Sequence, residues 1–287
     1  MDDLFMKKRG QVTIFIVLGI IILVFTGIYF YASKVNAKIK SQSAVAGSLS
    51  DSDSQIVATY AESCIKRIGQ EALFDKIGMQ GGYIDVDAST PSTTYLDNDV
   101  PYYLEANCLG TSCTYTETIP SLPEISETLS DYIIAEFEDC FKTEIFSDRG
   151  LEIIKPSANI NADVIINKED VSILLNYPLT IKKGKSEAKI ESFSVTLPIR
   201  LKALHDSAND LIKKITDTGS NSYTITTDDC DSFDKNGLTN VYVKTIDDGT
   251  KIIQFVDFST YLKNYFNSYI FQFALKGVDI NGGCPAV

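Results

Sequence analysis

Six cysteines, one histidine and a short run of aspartates are the side chains of this 287-residue chain best able to do more than pack or dissolve. Cys64, Cys108, Cys113, Cys140, Cys230 and Cys284 are even in number and spread along the sequence. A structural zinc site wants CxxC pairs or histidines at ligand spacing. Cys108-Leu-Gly-Thr-Ser-Cys113 has four intervening residues and neither a second pair nor a His beside it, so no metal is expected. On an oxidising side of a membrane the six would form up to three disulfides, whose pairing the sequence leaves open; otherwise some remain as buried thiols. Cys64 and Cys140 both fall on apolar faces of expected helices, so a bridge joining those helices is one pairing to look for. Cys108 and Cys113 would staple a loop on itself, and Cys284 sits where it could tie down the C-terminal tail.

His205 has no Cys, Glu or second His at ligand spacing and reads as a solvated residue on the polar side of a helix. Asp228, Asp229, Asp231 and Asp234 surround Cys230 in DDCDSFDKNG. Oxygen ligands at that density could hold Ca²⁺. The Gly and terminal Glu of a helix–loop–helix calcium loop are misplaced, however, and helical flanks are not expected, so the segment reads as a solvated acidic loop. No GxSxG, HExxH, phosphate-binding glycine loop, dinucleotide fingerprint or kinase signature occurs. No catalytic residue and no cofactor is therefore assigned. A net charge of −12 gives no electrostatic footprint for nucleic acid, and no Asn-x-Ser/Thr sequon is present.

The element that must position all these residues precedes them. Gln11 to Ala32, QVTIFIVLGIIILVFTGIYFYA, contains no Asp, Glu, Lys or Arg. As a helix it would reach about 33 Å, enough to span a bilayer core of about 30 Å. Residues 1–10 then form a basic leader, 11–32 a transmembrane helix, 33–50 a stalk or linker, and 51–287 a folded domain. Lys7, Lys8 and Arg9 precede the apolar run and Lys34, Lys38 and Lys40 follow it, close to a tie on the positive-inside rule. The triplet abuts the run, the long acidic segment lies beyond it, and the cysteines favour an oxidising side. These place the N-terminus in the cytoplasm and residues 33–287 outside, in a single-pass protein of the cell membrane with the lipid bilayer as its first partner.

Lys7-Lys8-Arg9, then Gly10, then Gln11 opening an unbroken apolar helix, resembles the class III signal peptide of type IV pilin-like proteins, especially archaeal ones. The resemblance covers about 25 residues and implies a prepilin peptidase as partner, cutting between Gly10 and Gln11 and leaving the helix for self-association. The chain departs from many pilins at the fifth mature position, where Phe15 stands in place of Glu. The run KKRGQVTIFIVLGIII, with GMQGGYI and YPLTI-KKGK downstream, also resembles a group of uncharacterised membrane-anchored proteins of small-genome archaea. That likeness implies an archaeal cell surface and no particular activity.

Beyond residue 50, apolar spacing predicts helices near 51–79, from the capping box Ser121-Leu-Pro-Glu124 to about 146, and at 199–216. Residues 81–120 read as a long irregular loop, with Tyr95, Tyr102 and Tyr103 covering the core or offering a contact platform. Period-two stretches follow from Leu151, with a hairpin at Lys183-Gly184-Lys185 and another around Asp247-Asp-Gly249. Pro178 and Pro198 are expected at strand ends or edges. The fold class is α+β: a transmembrane helix and stalk, then helices packed on antiparallel sheet, forming one body. The expected role is a pilin-like surface protein serving structure, adhesion or filament formation without catalysis. A permanently anchored binding protein or accessory subunit is the alternative, and a surface enzyme comes third.

Overall fold

The computed structural model describes residues 46–47, 51–109, 112–155, 160–233, 239–262 and 267–284. The expected leader, membrane helix and nearly all of the stalk lie outside these residues; among those described, no helix is long and apolar enough to cross a membrane. In chain order, β1 (Ala46–Gly47) leads into α1 (Asp51–Glu71), which widens into a π-type turn at Ala72–Ile77. Next come β2 (Ser92–Tyr95), β3 (Asn98–Leu109), β4 (Ser112–Glu117), α2 (Leu122–Cys140) and a 3-10 turn at Thr143–Arg149. Strands β5 (Glu152–Ile154), β6 (Asn161–Ile166), β7 (Val171–Lys183) and β8 (Ser186–Leu197) run into α3 (Leu201–Asp217). The remainder is β9 (Ser222–Thr224), α4 (Thr227–Phe233), β10 (Thr239–Thr245), β11 (Lys251–Asp257), α5 (Ser259–Leu262), β12 (Tyr269–Lys276) and β13 (Asp279–Asn281).

The fold is α+β, with helices laid on sheets. The first sheet is antiparallel throughout, in the order β1-β8-β7-β5 with β6 also on β7. Helix α1 covers β8, α2 covers β6, and the two helices touch. Each turns one stripe inward: Val57, Ala61, Ile65 and Ile68 from α1, Ile125, Leu129, Ile133 and Phe137 from α2. Ser121 caps α2 as expected: its hydroxyl accepts from the Glu124 amide while the Glu124 carboxylate accepts from the Ser121 amide. Pro178 is not at a strand end. It sits mid-way along β7, where the β8 register shifts between Asn176 and Leu179. On the other side of β7, β6 pairs with Val171–Asn176 and β5 with Thr180–Lys182. Pro178 thus lies, with Tyr177, in the gap of β7 that none of these ladders pairs, and an irregularity of this kind is how a proline is accommodated in a central strand.

The second sheet runs β10-β11-β12-β3-β2, with β4 on β3. Its β12–β3 pairing is parallel, a departure from the purely antiparallel expectation. The segment expected to be a loop at 81–120 is therefore largely sheet, formed by β2, β3 and β4. Helix α3 covers β11 and β12, placing Leu204, Leu211 and Ile215 in the same apolar cluster as Phe255, Phe271 and Phe273. That cluster also contains the α1, α2 and β7 side chains, so the chain before and after residue 150 shares one core. Tyr103 is fully buried, its hydroxyl donating to the Gly81 carbonyl at 2.8 Å, and Tyr102 is buried on the opposite sheet face: these rings cover core.

The stretch Gly78-Met-Gln-Gly-Gly82 lies along the edge of β12. The Gln272 amide donates to the Gly78 carbonyl (2.9 Å) and the buried Gln272 side chain donates to the Met79 carbonyl (2.7 Å). A Cβ on Gly78 would stand 2.3 Å from the Ile270 carbonyl oxygen, so close backbone approach requires glycine there.

Candidate functional site

The cysteines are the sequence-derived site residues that the structure brings together. Cys64 of α1 is bridged to Cys140 at the end of α2 with their Cα atoms 5.7 Å apart, as two packed helices with facing apolar stripes would allow. Cys108 and Cys113 face each other across the β3–β4 ladder and are bridged. Cys230 of α4 is bridged to Cys284, whose backbone exchanges two hydrogen bonds with Val241 at the start of β10. The C-terminal stretch is thus fixed by a disulfide and by the parallel pairing of β13 with β9. No described cysteine is free. Lys7, Lys8, Arg9, Gly10 and Gln11 lie outside the described residues.

His205 is not solvated. It is 6 % exposed, with the ring edge-on to Phe271. Its Nε2 lies 2.8 Å from the Pro120 carbonyl oxygen and its Nδ1 3.1 Å from the Asn209 side-chain nitrogen. A donor toward the carbonyl and an acceptor toward the amide describe one neutral tautomer. Burial lowers the imidazole pKa below its usual value, outweighing the Pro120 carbonyl, which raises it. The ring is a strut between α3 and the turn preceding α2.

The acidic segment is partly helical. Asp228 and Asp231 are exposed on α4, whereas Asp229 is buried and fully engaged. It accepts from the Thr226 amide (2.8 Å), the Thr226 hydroxyl (2.9 Å), the Tyr223 hydroxyl (3.0 Å) and Lys214 Nζ (2.9 Å). Burial pushes its carboxyl upward, but these donors outweigh that and hold it below the usual carboxylate range. Burial and Asp229 together push Tyr223 up to about 12. This carboxylate ties α3, β9 and α4 together and has little left to offer a cation. Asp234 lies outside the described residues. Among the described residues no group of three His, Cys, Asp or Glu is placed to hold a metal ion.

Sequence reasoning missed one buried ion pair. Arg200 enters α3 and is 5 % exposed; its Nη1 lies 3.2 Å from Asp257, at the end of β11, which is fully buried. Asp257 also accepts from the Ser259 amide (2.9 Å) and hydroxyl (2.8 Å). The signal was weak: one charge at a strand–helix junction and another at a strand end, 57 residues apart. Beside this pair Tyr269 is fully buried, and burial raises its hydroxyl pKa. These groups pin the first sheet's exit to the second sheet, and all are enclosed. Among the described residues, what the structure brings together are cross-links, a buried histidine strut and paired charges. No known protein family matches this chain, and no similar curated protein or solved structure is found.

Proposed function

We propose that the protein is a pilin-like, membrane-anchored surface protein, its disulfide-bridged α+β domain outside the membrane and working through protein contacts rather than catalysis. The observation that carries this reading is the pairing of the six cysteines into three bridges, which suits an oxidising compartment. The basic triplet before the apolar run of Gln11–Ala32 supports the same orientation. A specific residue favours a second reading. Phe15 removes the charge that many pilins carry at that position, which suits a permanent anchor that does not polymerise.

Intact-mass and N-terminal peptide analysis of the protein from native membranes, without reductant, tests both. A mature chain beginning at Gln11 is the outcome expected of the pilin-like route. A chain retaining residues before Gly10 would overturn that route and leave the permanent anchor. Free thiols at the six cysteines would overturn the extracytoplasmic placement.

A further inference from the structure

The three bridges differ in their surroundings. Cys64 and Cys284 are buried in the core, and Cys140 and Cys230 pack against it. Cys108 and Cys113 do neither: they are half-buried toward the far end of the β3–β4 hairpin, next to a Leu109 that is 86 % exposed. From Ala106 to Thr116 the hairpin carries no Asp, Glu, Lys or Arg, in a chain of net charge −12. A thiolate approaching the bridge therefore meets no carboxylate on those residues. The fold also depends little on this bridge. The two strands are paired from Leu104–Glu117 to Leu109–Ser112, the Thr114 hydroxyl donates to the Asn107 carbonyl (3.2 Å), and the Tyr115 hydroxyl donates to the Ser220 carbonyl (2.9 Å) beyond α3. The bridged residues are 5 apart in sequence, against 76 and 54 for the other two, so opening this loop releases the least chain entropy.

We propose that Cys108–Cys113 is a thiol–disulfide exchange site, open to a thiol-bearing partner, while the other two bridges are structural. The partner's thiolate attacks one of the two sulfurs; a mixed disulfide forms, the Cys108–Cys113 bond breaks, and the other cysteine leaves as a thiolate that takes a proton from water. A second thiolate then attacks the mixed disulfide on the partner's sulfur. The partner departs as its own disulfide, and two electrons have passed to the hairpin. Exchange depends on access to the attacked sulfur; both cysteines of this bridge stand clear of the core, whereas each of the other bridges has one cysteine buried in it and the other packed against it. Leu109 provides an apolar contact beside it.

The test exposes the oxidised full chain to graded glutathione and, in parallel, to a small dithiol-bearing protein. Free thiols are trapped by alkylation and located by peptide mass. Label on Cys108 and Cys113 is expected at thiol concentrations roughly tenfold below those that label the other four, with the far-ultraviolet dichroism unchanged. In a Cys113→Ser variant, Cys108 is expected to take up glutathione from its oxidised form. Reaction with glutathione identifies a site open to small thiols, and reaction with the protein dithiol alone identifies one reserved for macromolecular thiols; both carry the proposal. Simultaneous labelling of all six cysteines, earlier labelling of Cys230 and Cys284, or loss of secondary structure as Cys108 is labelled would overturn it.

Discussion

At the residue scale, His205 gives the fold a pH dependence of definite sign. Its imidazole is held below its usual pKa of 6.5 by burial, so below that pH the unfolded chain binds a proton that the native chain resists. Stability therefore falls as pH drops through the window beneath 6.5. Between pH 7.5 and 5.5 the loss due to His205 is at most about 1.4 kcal/mol. Urea unfolding of the wild type against His205→Gln, which keeps a donor toward Pro120, should show the steeper fall in the wild type. Glu62, whose carboxyl is raised by burial, acts in the opposite sense and is common to both proteins. The position of His205 was legible in its spacing: Leu201, His205, Ala208 and Ile212 share a stripe of α3. Its polar neighbours Lys202 and Asp206 masked this, and its partner Pro120 is 85 residues away. A second contrast concerns glycines. Gly78→Ala should lower stability by about 2–4 kcal/mol, because its Cβ would strike the Ile270 carbonyl. Gly150→Ala meets open space and should lose only about 1 kcal/mol, from its positive φ of 69°. Equal losses in denaturant midpoint would sink the close-approach account.

At the element scale, the bridges should rank by the loops they close. Chain entropy assigns about 4 kcal/mol each to Cys64–Cys140 and Cys230–Cys284, and about 2 kcal/mol to Cys108–Cys113. Paired Cys→Ser variants followed by thermal unfolding check that order; a larger loss from Cys108 and Cys113 would contradict it. Elements with local signals were legible: the capping box at Ser121, the β7–β8 hairpin turn at Gly184, and the inward faces of α1 and α2. Strand β3 was not, for two physical reasons. Val100, Tyr102, Tyr103 and Leu104 are buried on both sheet faces, so the period of two vanishes. The β2–β3 turn is made by Leu96 and Asp97 at φ of 49° and 61°, conformations that Gly or Asn usually fill, so the hairpin carried no turn signature. Leu96 is itself 66 % exposed.

At the scale of the whole molecule, the shared core explains why residues 51–150 and 151–287 form one body: α1 and α2 bury their faces on strands that come later in the chain. The parallel β12–β3 contact joins segments some 170 residues apart, a pairing that no local pattern announces. The same three bridges, buried or not, also set the mechanics of the chain. Pulled from its two ends with disulfides intact, the domain cannot extend the residues between Cys64 and Cys140 or between Cys230 and Cys284. At about 3.5 Å per residue this withholds roughly 450 Å of contour length. Single-molecule stretching should register that difference between oxidised and reduced protein, and equal extensions would mean the clasps are open. Under load the clasped chain acts as a short tether with two reserves of slack that only a reductant can release.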